Sequence, residues 1–328
     1  MTRTGIHPRL AVDRLRRAQH VLLTSHRNPD GDAIGSEVAL AELATHLGLD
    51  VEIVNRDPVP TPLGELPGVE LVRVLDALPD DAEDRYDLVV TVDCPGADRP
   101  GFEGLTRMPI LNIDHHRANP CFGEVNYVDE EAPAVGEMVW RMFADAEVRP
   151  SLAATTNMYV ALTTDTGDFR HSNATARAFR TAAEMVDAGA RPEVVADWIH
   201  AGRSAASVRL LGEALRTLTL GHHGQLAVLE VDESAFLRSG AEPGDTDGII
   251  DLPRRIAEVR VVALLKQWEP GIVRVSLRSK GSVDVCAIAR QLGGGGHTNA
   301  AGCTVHGDMS TARVAVTTLL EDALGGVA

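Results

Sequence analysis

The fold is decided by residues 20–36, which read HVLLTSHRNPDGDAIGS. The first six of these residues form a short apolar and β-branched run, which predicts a buried strand over residues 20–25. Apolar residues then recur at helical spacing, as at Ile34 and Val38, which predicts a helix over residues 33–47. Pro and Gly residues shape the turn between the two elements. A buried strand that passes directly into a helix is typical of an α/β fold.

The same alternation continues along the chain. Further short strands are predicted at residues 51–54, 88–92 and 110–113, and each ends where polar residues begin. Strands separated by helices favour a mainly parallel sheet, in which ligands bind beyond the carboxyl ends of the strands. From residue 134 to about residue 220 the periodicity is mostly helical. The predicted helix starts are Ser151, Asn173 and Pro192.

A second, smaller α/β unit with a mixed sheet is predicted in the last third of the chain. Its elements, in order, are strands at residues 226–231, 260–267 and 272–278, a helix at 283–292, four glycines at 293–296, a strand at 303–306 and a helix from Thr311. The predicted division of the chain is a first domain over residues 1–205, a helical connector over 206–224 and a second domain over 225–328.

The overall charge restricts the partners. The chain has 47 Asp and Glu residues against 31 Lys and Arg residues, a formal net charge of −16, so its surface repels long polyanions. Any nucleic-acid substrate should therefore be short. No apolar run is long enough to span a membrane, and the four cysteines are scattered without a Cys-x-x-Cys spacing. These features predict a soluble protein of the reducing cytoplasm, without membrane partners.

Acidic and histidine residues cluster after the predicted strands. They are His26, Asp30 and Asp32 after strand 20–25, Asp93 after strand 88–92, Asp114, His115 and His116 after strand 110–113, and Asp165 at the end of a helical stretch. An aspartate before a helix is also a common N-cap, and this alternative stays open for Asp30 and Asp32. Because the carboxyl ends of parallel strands meet at one sheet edge, we expect these side chains to lie together.

Carboxylates and imidazoles without a thiolate suit Mn²⁺, and Mg²⁺, Co²⁺ and Fe²⁺ are compatible with the same set. Clustered carboxylates repel one another unless cations lie between them. We therefore predict two divalent metals per chain, about 3.5–4 Å apart, holding a hydroxide that attacks a phosphoryl group. Asp93, from the central strand, is the predicted bridge between them.

The glycine-rich stretch 293–302, GGGGHTNAAG, allows two interpretations. It is either a flexible connector or a set of backbone N–H groups that bind a phosphate. Arg278, at the end of a predicted strand, is either a second anion contact or a solvated edge charge. The predicted substrate-binding residues are Arg278, Gly294, Gly295, Gly296, His297 and Asn299. The pair His222 and His223 has no acids nearby in sequence and is assigned no role.

Five motifs in combination carry a resemblance to a known family. They are HRNPDGD at residues 26–32, VDC at 92–94, DHH at 114–116, TDTG at 164–167 and GGGGH at 293–297. Together they resemble the DHH/DHHA1 phosphoesterase superfamily, and within it the nanoRNase branch of oligoribonucleases and pAp phosphatases. The resemblance runs from about residue 20 to the C-terminus, and it implies a DHH domain that binds metals and a DHHA1 domain that binds substrate.

The resemblance also implies residue roles. His26, Asp30 and Asp93 would hold one metal, and Asp32, Asp93, His115 and Asp165 would hold the other. His116 would face the substrate, and Asp114 would support the histidines. The second domain would hold a short nucleotide, with Arg278 and His297 in contact with phosphate or base. This sequence departs from the pattern at residues 132–137, APAVGE, where relatives often carry Ser and Thr before the Glu, so no hydroxyl contact is carried over.

The implied substrates are linear dinucleotides such as pApA, cyclic di-AMP, nanoRNA and 3′-phosphoadenosine 5′-phosphate, and the implied assembly is a homodimer. Three other functions share some of these sequence features. A manganese-dependent inorganic pyrophosphatase shares the first-domain motifs, but the glycine-histidine run argues against it. An exonuclease for long substrates is disfavoured by the net charge of −16. A non-catalytic nucleotide sensor would not need the six predicted ligands.

Overall fold

The structure is a computed structural model that describes residues 3–117, 119–200, 204–246 and 248–325, without the side chains of His200 and His297. The chain divides near residue 203 into two compact units. The helices are α1 (Pro8–Leu15), α2 (Gly31–His46), α3 (Ala82–Arg85), α4 (Val135–Asp145), α5 (Leu152–Asp165), α6 (Ala176–Asp187), α7 (Pro192–His200), α8 (Ala205–Arg216), α9 (Glu233–Ser239), α10 (Val285–Gln291) and α11 (Met309–Gly325).

The strands form one sheet in each unit. They are β1 (Arg3–Gly5), β2 (His20–Thr24), β3 (Asp50–Asn55), β4 (Val72–Val74), β5 (Leu88–Val92), β6 (Ile110–Asp114), β7 (Val125–Val128), β8 (Thr219–Gly221), β9 (Leu226–Val231), β10 (Val261–Glu269), β11 (Ile272–Ser279), β12 (Gly295–His297) and β13 (Ala300–His306). The first sheet has seven strands and the second has six.

All strand pairs of the first sheet are parallel, in the order β1-β7-β6-β5-β2-β3-β4. Successive side chains of a strand point to opposite faces. On β2, Val21 and Leu23 join the larger apolar core of the unit, whereas Leu22 joins the smaller core on the other face. Both faces are buried, which is why the strand reads as a continuous apolar run. This arrangement places β5 at the centre, flanked by β2 and β6.

Helices α2 and α5 pack very closely beneath the first sheet. A side chain at Gly35 of α2 would approach the backbone carbonyl oxygen of Asn157 on α5 to 2.3 Å, so only glycine permits this contact. The close approach matters for the site because Asp32 lies in the first turn of α2 and Asp165 is the last residue of α5. It holds the two carboxylates at the same end of the helix pair.

The second unit has a mixed sheet in the order β12-β13-β11-β10-β9-β8, with β9 and β10 parallel and the other pairs antiparallel. Alternate residues of β10 face opposite sides. Val261 and Ala263 join one core with α10 and α11, and Val262 and Leu264 join another with α8 and α9. The predicted fold class, a parallel-sheet domain followed by a smaller α/β domain with a mixed sheet, is confirmed.

Several predicted boundaries were wrong in detail. The helix predicted at Asn173 begins at Ala176, and the last helix begins at Met309 instead of Thr311. The four glycines are not all loop, because Gly295 and Gly296 lie in β12, which pairs with β13. Elements that the sequence patterns did not predict are β1, β4, β7, β8, β12, α1, α3 and α9.

The stretch predicted as a helical connector, residues 206–224, contains most of α8, all of β8 and a turn at His222–Gly224. Strand β8 pairs with β9 of the second sheet, and Leu210 and Ala214 of α8 join one of its cores. The predicted domain boundaries at 205 and 225 stay predictions. Within the described residues, no helix is both long and apolar enough to cross a membrane.

Candidate metal centre

The three central strands of the first sheet deliver the first ligands. Asp93 directly follows β5, His115 directly follows β6, and His26 follows β2 after one residue. Since β5 lies between β2 and β6, the three side chains meet at one sheet edge. Nε2 of His26 lies 3.5 Å from Oδ2 of Asp93, and Nε2 of His115 lies 3.6 Å from Oδ1 of Asp93. Asp93 therefore contacts an imidazole with each carboxylate oxygen.

One group of possible ligands is His26, Asp30 and Asp93, whose ligand atoms lie within 4.8 Å of one another. Nδ1 of His26 lies 2.9 Å from the carbonyl oxygen of Arg27. Because a carbonyl oxygen only accepts, Nδ1 carries the proton, and Nε2 faces the carboxylates. Asp30 also caps α2, since its Oδ1 accepts from the N–H groups of Asp32 and Ala33. Asp30 can therefore cap α2 and belong to the group of possible metal ligands at the same time.

A second group is Asp32, His115 and Asp165. Nε2 of His115 lies 3.8 Å from Oδ2 of Asp32 and 3.9 Å from Oδ2 of Asp165. Asp32 is 1% exposed, and its Oδ2 and Oδ1 accept from the N–H groups of Val135 and Gly136 at 2.8 and 2.9 Å. Asp93 contacts one histidine of each group, His26 and His115, and its role as a bridge stays a prediction.

Asp93 has two features that mark it as unusual. Its backbone is left-handed, with φ of 56°, a conformation that costs free energy for a residue other than glycine. Its Oδ1 is buried and accepts no hydrogen bond within the described residues. A buried carboxylate oxygen without a hydrogen bond is costly unless a cation compensates it. The orphaned oxygen and the oxygen and nitrogen donors around it therefore fit divalent ions.

The charges of the cluster perturb one another. Burial lowers the pKa of His26, but contact with Asp93 and the Arg27 carbonyl outweighs burial and raises this pKa to about 9. Burial also lowers the pKa of His115, yet the carboxylates of Asp32 and Asp93 raise it overall. Burial, and then the charge of Asp93, raises the pKa of Asp32 well above its usual range. Without cations, the cluster therefore holds protons to reduce its negative charge.

His116 and Asp114 form a pair beside the cluster. Nδ1 of His116 donates to Oδ1 of Asp114 at 2.8 Å and lies 3.5 Å from Oδ1 of Asp93. The hydrogen bond with Asp114 raises the pKa of His116. Its side chain is 45% exposed, in contrast to 12% for His115. A third group of possible ligands is Asp93, His115 and His116, so the geometry alone leaves His116 either as a ligand or as a group facing the substrate.

Sequence reasoning missed the residues that orient the ligands from behind. The carbonyl oxygen of Ala132 accepts from Nδ1 of His115 at 3.1 Å, which turns Nε2 towards the carboxylates. Nδ2 of Asn173 donates to Oδ2 of Asp165 at 2.9 Å and to the carbonyl oxygen of Pro133 at 3.0 Å. The stretch that departs from the family pattern therefore contacts the site through its backbone. Backbone contacts leave no residue signature that could have revealed them.

The predicted substrate residues lie in the second unit. Strand register places Arg278 of β11 opposite Ala300 of β13, and Ala300 opposite His297 of β12. Arg278 is partly exposed, and its Nη1 donates to the carbonyl of Leu277 at 3.1 Å. The side chain of His297 lies outside the described part of the chain. The amide of Asn299 donates to Oγ of Ser279 and to the carbonyl of Gly281.

A cavity of about 510 Å³ opens beside β12 and β13. Its lining includes Asp284, Arg290, Gly296, Thr298 and Asn299, and Arg290 was not among the predicted residues. Arg290 is exposed and supplies a cation next to this cavity. The cavity has polar walls suited to a charged ligand.

Close packing against β13 explains why position 294 is glycine. A side chain at this position would lie 2.1 Å from the carbonyl oxygen of Gly302, so the close approach of the glycine run to β13 requires glycine. The N–H of Gly294 donates to the carbonyl of Ala289. This hydrogen bond occupies one N–H group that was predicted to meet a phosphate; the predicted role of the other glycines stays a prediction.

Comparison with known proteins agrees with this architecture. Residues 20–165 match the DHH family, N-terminal domain, and residues 223–323 match the DHHA1 domain. A bifunctional oligoribonuclease and PAP phosphatase, NrnA of Thermus thermophilus, is 32% identical over 296 residues, covering 88% of this chain and 84% of that protein. The protein of the same description from Bacillus subtilis is 23% identical and covers 87% of this chain and 89% of its own length.

A crystal structure of an exopolyphosphatase-related protein from Bacteroides fragilis shares the fold, with a TM-score of 0.81, 22% identity and coverage of 98% of this chain and 96% of that chain. The fold and site define a two-unit α/β protein whose carboxylate and imidazole cluster lies at the carboxyl edge of a parallel sheet. The chain belongs to the DHH/DHHA1 family, as its motifs predicted.

Proposed function

We propose that the chain is a divalent-metal-dependent hydrolase that cleaves phosphate ester bonds in short nucleotides. The observation that carries the proposal is the set of six side chains gathered around Asp93, with a buried carboxylate oxygen that lacks a hydrogen-bond partner. The names of the relatives, oligoribonuclease and PAP phosphatase, support a short-nucleotide substrate. The net charge of −16 supports the same size limit.

The proposed ligands are His26, Asp30 and Asp93 for one ion, and Asp32, Asp93, His115 and Asp165 for the other. Divalent ions held there would supply positive charge that activates a water for attack and stabilises the phosphoryl oxygens. We propose Mn²⁺ as the preferred ion because the donors are mixed oxygen and nitrogen without sulfur. Mg²⁺, Co²⁺ and Fe²⁺ are compatible with the same donors.

The chain's own groups then do two things. Asp114 fixes the ring of His116 and holds a proton on Nδ1, which leaves Nε2 to donate a proton to the leaving oxygen. The hydrogen bond with Asp114 raises the pKa of His116, which favours the protonated ring that such a donor requires. Residues 225–328 are proposed to hold the part of the nucleotide that does not react, through Arg278, His297 and the glycine run. The polar cavity beside Arg290 supports a charged ligand in this unit.

Three finer assignments complete the proposal. All four cysteines are free, which supports a reducing compartment, and we propose the cytoplasm. We propose a homodimer as the assembly, as the resemblance implies. We propose residues 1–205 as the catalytic domain and 206–224 as the connector to the substrate-binding domain.

A side-by-side turnover measurement tests the proposed function. Wild-type chain with Mn²⁺ is given pApA, cyclic di-AMP, a short RNA oligomer and 3′-phosphoadenosine 5′-phosphate, with inorganic pyrophosphate and a long RNA as further substrates. We expect hydrolysis of at least one of the four short nucleotides and much slower hydrolysis of the last two. His115→Ala, purified in parallel, controls for contaminating nucleases and should be inactive.

Two results would contradict the proposal. Hydrolysis of pyrophosphate in preference to every nucleotide would make the chain a pyrophosphatase. Binding of nucleotides without turnover of any substrate would make it a sensor.

A further inference from the structure

The segment of residues 129–137 contacts the ligands of only one proposed ion. Its hydrogen bonds reach His115 through the carbonyl of Ala132, and Asp32 through two N–H groups at the start of α4. It reaches Asp165 through Asn173, whose amide bridges the carbonyl of Pro133 and the Asp165 carboxylate. All three ligands belong to the second group. The hydrogen bonds of the segment therefore orient ligands of the second group and none of the ligands that belong to the first group alone.

The first group is oriented by different neighbours. Nδ1 of His26 meets the carbonyl of Arg27, the next residue in the chain, and Oδ1 of Asp30 meets the first N–H groups of α2. Among the described residues, no hydrogen bond joins the 129–137 segment to either side chain. The two metal positions therefore share Asp93 and the start of α2, where the N–H of Asp32 donates to Asp30, but the 129–137 segment supports only the second position.

One side chain ties the two ends of the segment together. Arg177 of α6 donates from Nε and Nη2 to the two carboxylate oxygens of Glu137 at 2.9 and 2.6 Å. Its Nη2 also donates to Oδ2 of Asp129 at 2.8 Å. Glu137 and Asp129 are only 3% and 5% exposed, so both carboxylates depend on a nearby cation. Arg141 lies farther from Asp129, at 3.5 Å.

We propose that Arg177 is a positioning residue that supports one of the two metal positions selectively, by holding the 129–137 segment against Asp32, His115 and Asp165. The inference rests on the proposed function in one respect, namely that the chain holds two ions. It adds that the two ions differ in what keeps their ligands in place. The hydrogen bonds that Arg177 forms within the described residues reach Glu137 and Asp129, neither of which is a proposed ligand.

The physical reason is that ligand geometry depends on groups behind the ligands. Loss of such a supporting contact typically weakens metal binding about 10–100-fold. The fork of Arg177 fixes two carboxylates in a plane, which neither Met nor the single ammonium of Lys can reproduce. Without it, the segment loses the link between its ends, and its carbonyl and N–H groups no longer fix the second group.

Metal content per chain, measured by elemental analysis after dialysis against a fixed Mn²⁺ concentration, tests this inference. Arg177→Met is made in the wild type and in two single-site backgrounds. His115→Ala removes a ligand of the second group and keeps the first metal position. His26→Ala removes a ligand of the first group and keeps the second metal position. In the wild-type background we expect two ions to fall to about one, since affinity falls about 10–100-fold at one position. In His115→Ala the remaining ion should stay, and in His26→Ala it should be lost.

Arg107→Met is the matched control, because Arg107 forms a 2.7 Å ion pair with Glu83 on the surface of the same unit. It should leave both ions bound. Arg177→Lys keeps the charge without the fork and should weaken the same ion less. The unfolding midpoint of each metal-free variant identifies those that fold, and Arg177→Lys takes the place of Arg177→Met if the latter does not.

Equal loss of metal in the two backgrounds, or no loss from a folded Arg177 variant, would overturn the inference. A wild-type chain that binds fewer than two ions would instead contradict the two-ion part of the proposed function. The two failures are therefore distinguishable from the same set of samples.

Discussion

Asp93→Asn should lose both metals at once and lower turnover by about 10²–10³-fold or more, since removing a single group that stabilises a transition state already has an effect of that size. Asp93 is the residue that contacts His26 with one oxygen and His115 with the other. Asn is the appropriate replacement because it tolerates the left-handed backbone that Asp93 adopts, with φ of 56°. The change removes charge without adding strain. Metal content per chain and turnover of a dinucleotide are the two measurements.

The control is His26→Ala, which removes a ligand of the first group alone. It should lose one ion and keep the other, because Asp32, His115 and Asp165 remain together. If Asp93→Asn retained two ions and normal turnover, Asp93 would not be the bridge. If His26→Ala lost both ions, the two positions would not be independent.

His116→Ala should lower kcat by about 10²–10⁴-fold, the usual contribution of general acid catalysis, while both metals stay bound. The reason is that Nδ1 of His116 is already occupied by Asp114, at 2.8 Å, and its side chain is far more exposed than that of His115. A group in this position can meet a leaving oxygen. Loss of a metal from His116→Ala would show that His116 is a ligand, as the third ligand group allows.

The contrast for His116→Ala is Arg278→Ala in the second unit. This change should raise KM for a dinucleotide with little effect on kcat, because Arg278 is proposed to hold the nucleotide that does not react. Hydrolysis of bis-(p-nitrophenyl) phosphate, which lacks that nucleotide, should change little. Equal losses on both substrates would mean that Arg278 supports the fold or the catalytic centre instead.

One feature of the sequence predicted both the fold and the ligand cluster, namely apolar strands that end where polar residues begin. Residues 21–23 and 88–90 are apolar without alternation because both faces of a parallel sheet are buried, and charged residues begin where the strands leave the sheet. The chemistry-bearing residues Asp93 and His115 lie at those points. The sequence pattern that predicted the strands therefore also predicted the position of the ligands.

Elements that carry little side-chain information were missed. Strand β12 consists of Gly295, Gly296 and His297, which have no apolar alternation, and its pairing with β13 depends on backbone alone. Strand β1 is three residues long and contains no apolar residue. Local propensity cannot predict such strands, because their backbone hydrogen bonds to β13 and β7 decide them.

The supporting residues of the site were missed for a related reason. Asn173 was predicted to begin a helix, and its amide instead bridges Asp165 and the carbonyl of Pro133. The Arg177 pairing with Glu137 joins residues 40 positions apart in the sequence. Contacts of this range depend on the packing of α6 against the rest of the unit, which periodicity does not encode.

The most direct test of the central claim is turnover of a short nucleotide by metal-stripped chain, with chelator present and then after Mn²⁺ is added in excess. The carboxylate cluster requires cations both for charge balance and for activation of water. We expect no turnover with chelator and restoration of activity as about two ions per chain are bound, the number that a two-metal site requires. Full turnover by the metal-stripped chain in the presence of chelator would contradict it.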